Sequence, residues 1–117
     1  MPLIVSDTRY LPEELTEGGQ TGQDVTVDFK ASDMFHIDIS YDTDFVFTNE
    51  VDKVLVLRVN NTHGTNTLNI TFTSTDDLYW QDGVDVLQIE ANTHYTYSFV
   101  KMNSKIDVAV AVSLQTL

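Results

Sequence analysis

Apolar and polar residues alternate with a period of two through most of this chain, the pattern of strands with one buried and one wet face. Residues 24–30 set Val25, Val27 and Phe29 against Asp24, Thr26 and Asp28, and residues 34–40 set Phe35, Ile37 and Ile39 against His36, Asp38 and Ser40. Tyr41-Asp42-Thr43-Asp44 carries turn chemistry ahead of a short strand at 45–48. Residues 53–59 are apolar at both parities, with Val54 and Val56 on one face and Leu55, Leu57 and Val59 on the other. That is the pattern of a central strand covered on both sides.

The alternation resumes at 68–72, and Asp76-Asp77 leads into Tyr79-Trp80-Gln81-Asp82-Gly83, whose Asp-Gly pair favours a tight turn. Residues 84–90 predict another short strand. The clearest hairpin follows, with Tyr95, Tyr97 and Phe99 on one face of 93–101, a turn at Met102-Asn103-Ser104, and Ile106, Val108, Val110 and Val112 alternating through 105–113. The other face of that last segment holds Ala109, Ala111 and Ser113, small enough to let a second sheet or subunit approach, or simply a thin solvent face. Eight short strands and no amphipathic helix predict an all-β domain over 24–117, an antiparallel β-sandwich or jelly roll, with an open barrel as the alternative.

Residues 1–23 lack the alternation and end in a segment with glycines at 18, 19 and 22, which predicts an extended N-terminal arm on a flexible connection. Pro12-Glu13-Glu14-Leu15 fits a single helical turn, too short to stand alone. The arm gathers Leu3, Ile4, Val5, Tyr10, Leu11 and Leu15, an apolar set suited to ordering on a partner surface and therefore a candidate attachment segment.

Composition narrows the function classes. A chain of 117 residues, 42% of them hydrophobic, is one domain with one core. Its apolar runs, such as 108–112, fall far short of the ~20 residues of a membrane-spanning helix, and its opening residues lack the basic region of a secretion signal. Cysteine is absent, so neither disulfides nor thiolate metal ligands contribute. With 18 acidic against 6 basic side chains, the net charge is −12, and the basic residues stand singly, which disfavours direct nucleic-acid binding.

Candidate chemistry is sparse. His36, His63 and His94 lie in separate segments, without a catalytic triad order, a His-Glu-x-x-His motif or a phosphate loop, so no catalytic residue and no cofactor is expected. Asp42, Asp44, Asp76, Asp77, Asp82 and Asp85 supply hard oxygens of the kind calcium takes, but Asp is a turn residue in its own right and EF-hand spacing is missing, so no metal site is assigned. Trp80 reads as a packing anchor together with Tyr95, Tyr97 and Phe99, in preference to a sugar-stacking platform. The sequons Asn60-Asn61-Thr62 and Asn69-Ile70-Thr71 are read as coincidental.

The order of segments in the second half resembles a small β-module of tailed-bacteriophage virion proteins, found in head-decoration, fibre and tail proteins. The resemblance rests on Val54-Leu55-Val56-Leu57-Arg58-Val59-Asn60-Asn61, Thr67-Leu68-Asn69-Ile70-Thr71-Phe72, Trp80-Gln81-Asp82-Gly83 and the Tyr95-Thr96-Tyr97-Ser98-Phe99 hairpin, and covers about residues 45–113. One departure is that Val84-Asp85-Val86 follows the tryptophan motif, where family members often carry a second glycine and a proline. The resemblance implies a non-enzymatic virion structural protein, made in the host cytoplasm and placed on the outer capsid surface. It would act as a homotrimeric decoration (cement) protein with the major capsid protein as its partner. The alternative it implies is the receptor- or glycan-binding tip of a head or tail fibre.

Overall fold

The computed structural model describes residues 23–114, which form nine strands: β1 Gln23–Asp28, β2 Met34–Ile39, β3 Thr43–Thr48, β4 Lys53–Asn61, β5 Leu68–Thr73, β6 Asp77–Trp80, β7 Gln88–Ile89, β8 Thr93–Met102 and β9 Lys105–Leu114. They build two sheets, one in the order β2-β4-β8-β9-β6 and the other β1-β3-β5-β7. The two pack face to face as an all-β sandwich. The arm, with Leu3, Ile4, Val5, Tyr10, Leu11 and Leu15, lies outside the described residues.

The expected antiparallel pairing is corrected. β1 with β3, β3 with β5, β2 with β4 and β6 with β9 pair parallel, whereas β4 with β8, β8 with β9 and β5 with β7 are antiparallel. The cause is the route of the chain, because β1 to β8 alternate between the sheets. Parallel strands need a crossover between them. For β1–β3, β2–β4 and β3–β5 the crossover is a single strand of the opposite sheet; β6 reaches its parallel neighbour β9 only after β7 and β8, and β5 and β7, also two apart, pair antiparallel.

Alternation places the core as the sequence predicts. Val25, Val27, Phe29, Phe35, Ile37, Ile39, Phe45, Leu55, Leu57, Val59, Tyr97, Phe99 and Ile106 point between the sheets and are buried. Burying each of the larger of these side chains contributes roughly 1.5–3 kcal/mol. Phe99 meets Phe47 and Phe72 edge-on at 5.2 and 5.3 Å, and Phe47 lies tilted against Phe72 at 5.8 Å, linking the two sheets through ring contacts.

Several boundaries differ from those expected. β3 begins at Thr43, so Thr43 and Asp44 belong to the strand and not to the preceding turn. The predicted 84–90 strand shrinks to Gln88–Ile89. Val84 is exposed, and the carbonyls of Val86 and Leu87 are taken by the Tyr97 hydroxyl and the Ile70 N–H. β6 departs from the expected turn, because Asp76-Asp77 reads as turn chemistry whereas Asp77 opens the strand. Asp82 and Gly83 (φ 61° and 70°) lie in a single 3-10 turn, Gln81–Gly83, that leads from β6 to β7 of the other sheet and not in a hairpin, whereas the turn at Asn103 and Ser104 (φ 54° and 64°) falls as predicted between β8 and β9. Positive φ at both central residues is the geometry that matches the twist of a two-residue hairpin loop.

Candidate interaction surface

The two outer faces of the sandwich differ in chemistry. On the smaller sheet, Asp44 accepts hydrogen bonds from the hydroxyls of Thr71 (2.8 Å) and Thr73 (3.0 Å), and Asn69 bonds Gln88 at 3.1 Å. With Asp24 and Thr26 exposed beside them, this face is occupied by polar groups that bond one another and water.

The larger sheet is different. Its registers set Val54 beside Val100, Asp107 and Tyr79 in one row, and Met34 beside Val56, Ser98 and Ala109 in the next. Met34, Val54 and Tyr79 are 58%, 56% and 47% exposed, and among the described residues no second layer packs over them. This corrects the expectation that residues 53–59 form a strand covered on both faces: β4 is central in its sheet, but only its Leu55, Leu57 and Val59 face is buried. Valine is favoured in strands whether or not a second layer covers it. At the far end of the face the rows turn polar, with His36, Arg58 and Thr96 in one and Asp38, Asn60 and His94 in the next.

Trp80 sits where β6 leaves the sheet. Its ring packs inward, 6.1 Å from Phe72 and 6.2 Å from Tyr97, and it is partly buried against the core. Tyr95, Tyr97 and Phe99 are buried on the inner face of β8. Burial pushes the Tyr97 phenol well above its usual range, and the hydroxyl donates to the Val86 carbonyl at 2.9 Å.

The titratable groups singled out in the sequence are held apart. His36 pairs with Asp38 at 3.2 Å on β2, while the His63 Nδ1 accepts the N–H groups of Thr65 and Asn66 in the β4–β5 loop. His94 lies on β8 opposite Asn60. Among the described residues no three His, Asp or Glu side chains converge in a way that suits a metal ion. Asp42 accepts the Asn69 N–H, Asp44 the two threonine hydroxyls, and Asp76 meets Lys101; Asp77, Asp82 and Asp85 are exposed.

One polar cluster escaped sequence reasoning. Lys101 is buried one residue before the end of β8, in salt bridges with Asp76 and, at 3.9 Å, with Glu50. Glu50 also accepts the Ser74 hydroxyl (2.7 Å) and the Thr75 N–H (3.1 Å). The cluster ties the β3–β4 and β5–β6 connections to β8 and leaves no buried side-chain polar atom without a partner among the described residues. Its only trace in the sequence is that Lys101 continues the odd-numbered, inward series of Tyr95, Tyr97 and Phe99.

Compared with protein-family models, with curated proteins and with solved structures, the chain matches none.

Proposed function

We propose that this chain is a non-enzymatic assembly protein, a virion structural protein that decorates the outer head surface of a tailed phage as a homotrimer. The observation that carries the reading is the apolar half of the larger sheet's outer face. Met34, Val54 and Tyr79 are exposed there in adjoining rows with Val56, Val100 and Ala109, beside a smaller sheet whose own outer face is polar. A contiguous exposed apolar patch on one side of a small domain is what a protein-protein contact uses. The resemblance in the order of segments supplies the virion context, and the arm, by its apolar composition, supplies a second attachment element toward the major capsid protein.

The test is made on particles whose genome encodes the chain. Light scattering is expected to give about three times the 13.2 kDa chain mass. Electron cryomicroscopy is expected to show density for the chain on the capsid exterior, and deleting residues 1–20 is expected to abolish binding to heads that lack it while leaving the β-body folded. A monomeric chain found at a fibre tip, with glycan binding that survives the deletion, would replace this reading with the receptor-binding alternative.

A further inference from the structure

Exposed strand edges invite pairing, and proteins blunt them with charge, proline, shortness or a cover. Three of the four edges here follow that rule. β1 carries Asp24 and Asp28, β2 carries His36 and Asp38, and β7 is two residues long. The fourth edge is incomplete. β6 pairs with β9 only along Lys105–Val108, four of its ten residues.

Beyond Val108, β9 runs on as Ala-Val-Ala-Val-Ser-Leu, bonded to β8 on one side and met by no described strand on the other. This stretch has no charge, proline or glycine, and Ala109, Ala111 and Val112 are exposed. Among the described residues its outer edge has no partner strand, and two adjoining clefts that share Trp80, Gln81 and Val108 flank it, one extending over the outer face and one toward the inner. The outer cleft, about 380 Å³, is lined by Tyr79, Ser98, Val100, Asp107 and Ala109. The inner one, about 250 Å³, is lined by Trp80, Asp82, Val84, Val86 and Val110.

We propose that the β9 edge from Ala109 onward accepts an extended segment of a partner protein as an added strand, with alternating apolar and basic side chains. Successive side chains of an added strand point to opposite faces, one cleft each. The inner cleft is walled by Val84, Val86, Val110 and Trp80 and takes the apolar side chains. The outer cleft takes Lys or Arg: the aliphatic stem lies on Val100 and Ala109 and the charge reaches Asp107 and the Tyr79 ring. Lys105 already stands 5.8 Å over that ring from within the chain. A second copy fits worse, because its own edge offers no cation and the chain carries −12. The inference holds with or without a virion, since it rests on the sheet edge alone.

The experiment titrates the full chain, ¹⁵N-labelled, with acetyl-Lys-Val-Lys-Val-Lys-Val-amide, its Glu-for-Lys counterpart, and the Lys peptide N-methylated at alternate residues. The Lys peptide is expected to shift and protect the amides of 109–113. N-methylation, which removes strand hydrogen bonds and leaves the charge, is expected to weaken binding by about tenfold or more, and Asp107→Asn by roughly threefold. Equal binding of the methylated peptide, or shifts spread over the acidic surface, would mean charge attraction alone and overturn the proposal. So would a dimer in light scattering that Ala111→Pro dissolves, since a second copy would then own the edge.

Discussion

Replacing Lys101 with methionine removes the ammonium that lies between Glu50 and Asp76 while keeping an apolar stem in place. The three side chains are 8%, 7% and 16% exposed, so solvent screening is weak and the carboxylates lose their cation inside the protein. Breaking a buried ion pair by removing one partner costs about 3–5 kcal/mol. The low end of that range applies, because Glu50 keeps the Ser74 hydroxyl and the Thr75 N–H as donors. For a body of this size, about 3 kcal/mol lowers the melting temperature by on the order of 10–20 °C, a large part of a total stability of roughly 5–15 kcal/mol. Calorimetry and urea unfolding measure it. Adding Glu50→Gln and Asp76→Asn to the same variant removes the stranded charges and is expected to recover most of the loss. A Lys101→Met loss under about 1 kcal/mol, the value of an exposed pair, would refute the account of this cluster as a buried lock.

Two further outcomes follow from the packing and the charges. Trp80→Ala strips the ring from Phe72 and Tyr97 and is expected to cost about 2–3 kcal/mol, below the value for a fully buried aromatic, with faster hydrogen exchange along β6; an unchanged urea midpoint would count against the anchor role. Asn49→Ala removes the 2.9 Å bond that, with the Lys30 N–H, holds the Asp28 carboxyl below its usual pKa. A depressed carboxylate stabilises the fold above its unfolded pKa of ~3.9 and loses that contribution as pH falls through the folded value. The stability difference between parent and variant is therefore expected to shrink as pH falls from 6 through the folded Asp28 value, leaving a pH-independent remainder because Asn49 holds a φ of 51° that alanine adopts only at a cost. An Asp28 titration midpoint unmoved in a carboxyl NMR titration would contradict the assignment.

Faces were legible in the sequence and neighbours were not. Val25, Val27 and Phe29, like Phe35, Ile37 and Ile39, announce which side of each strand is buried, because period two fixes the face. Nothing in that period says which strand lies alongside, so the parallel pairs escaped. β6 escaped too, since Leu78 and Trp80 are only one repeat of the alternation behind two aspartates. The predicted 84–90 strand failed for the opposite reason: Val84, Val86 and Gln88 alternate with Asp85, Leu87 and Ile89 without separating apolar from polar. Of the surface argued here, Val54 and Val56 were visible as an apolar face, but their openness depends on what the fold leaves uncovered. Lys101 and Glu50 meet only because β8 passes the connection between β3 and β4, a relation across half the body that spacing does not encode.

The alternation of the chain between sheets has a kinetic consequence. β1 meets β3 about 20 residues on, at Gln23 and Thr43, β3 meets β5 at Thr43 and Ile70, and β4 meets β8 at Lys53 and Lys101. Among the described residues, only β8 and β9 form a pairing that closes through a local turn. Loop closure must therefore be met before most pairings reward it, which places this body among slow folders. Neither sheet can form ahead of the other, because the β1–β3, β2–β4 and β3–β5 pairs are each joined through a strand of the opposite sheet. Cutting the body anywhere between β2 and β8 leaves both layers short of strands, so the sandwich has no half that folds alone, and the β8–β9 hairpin is the natural seed from which it condenses.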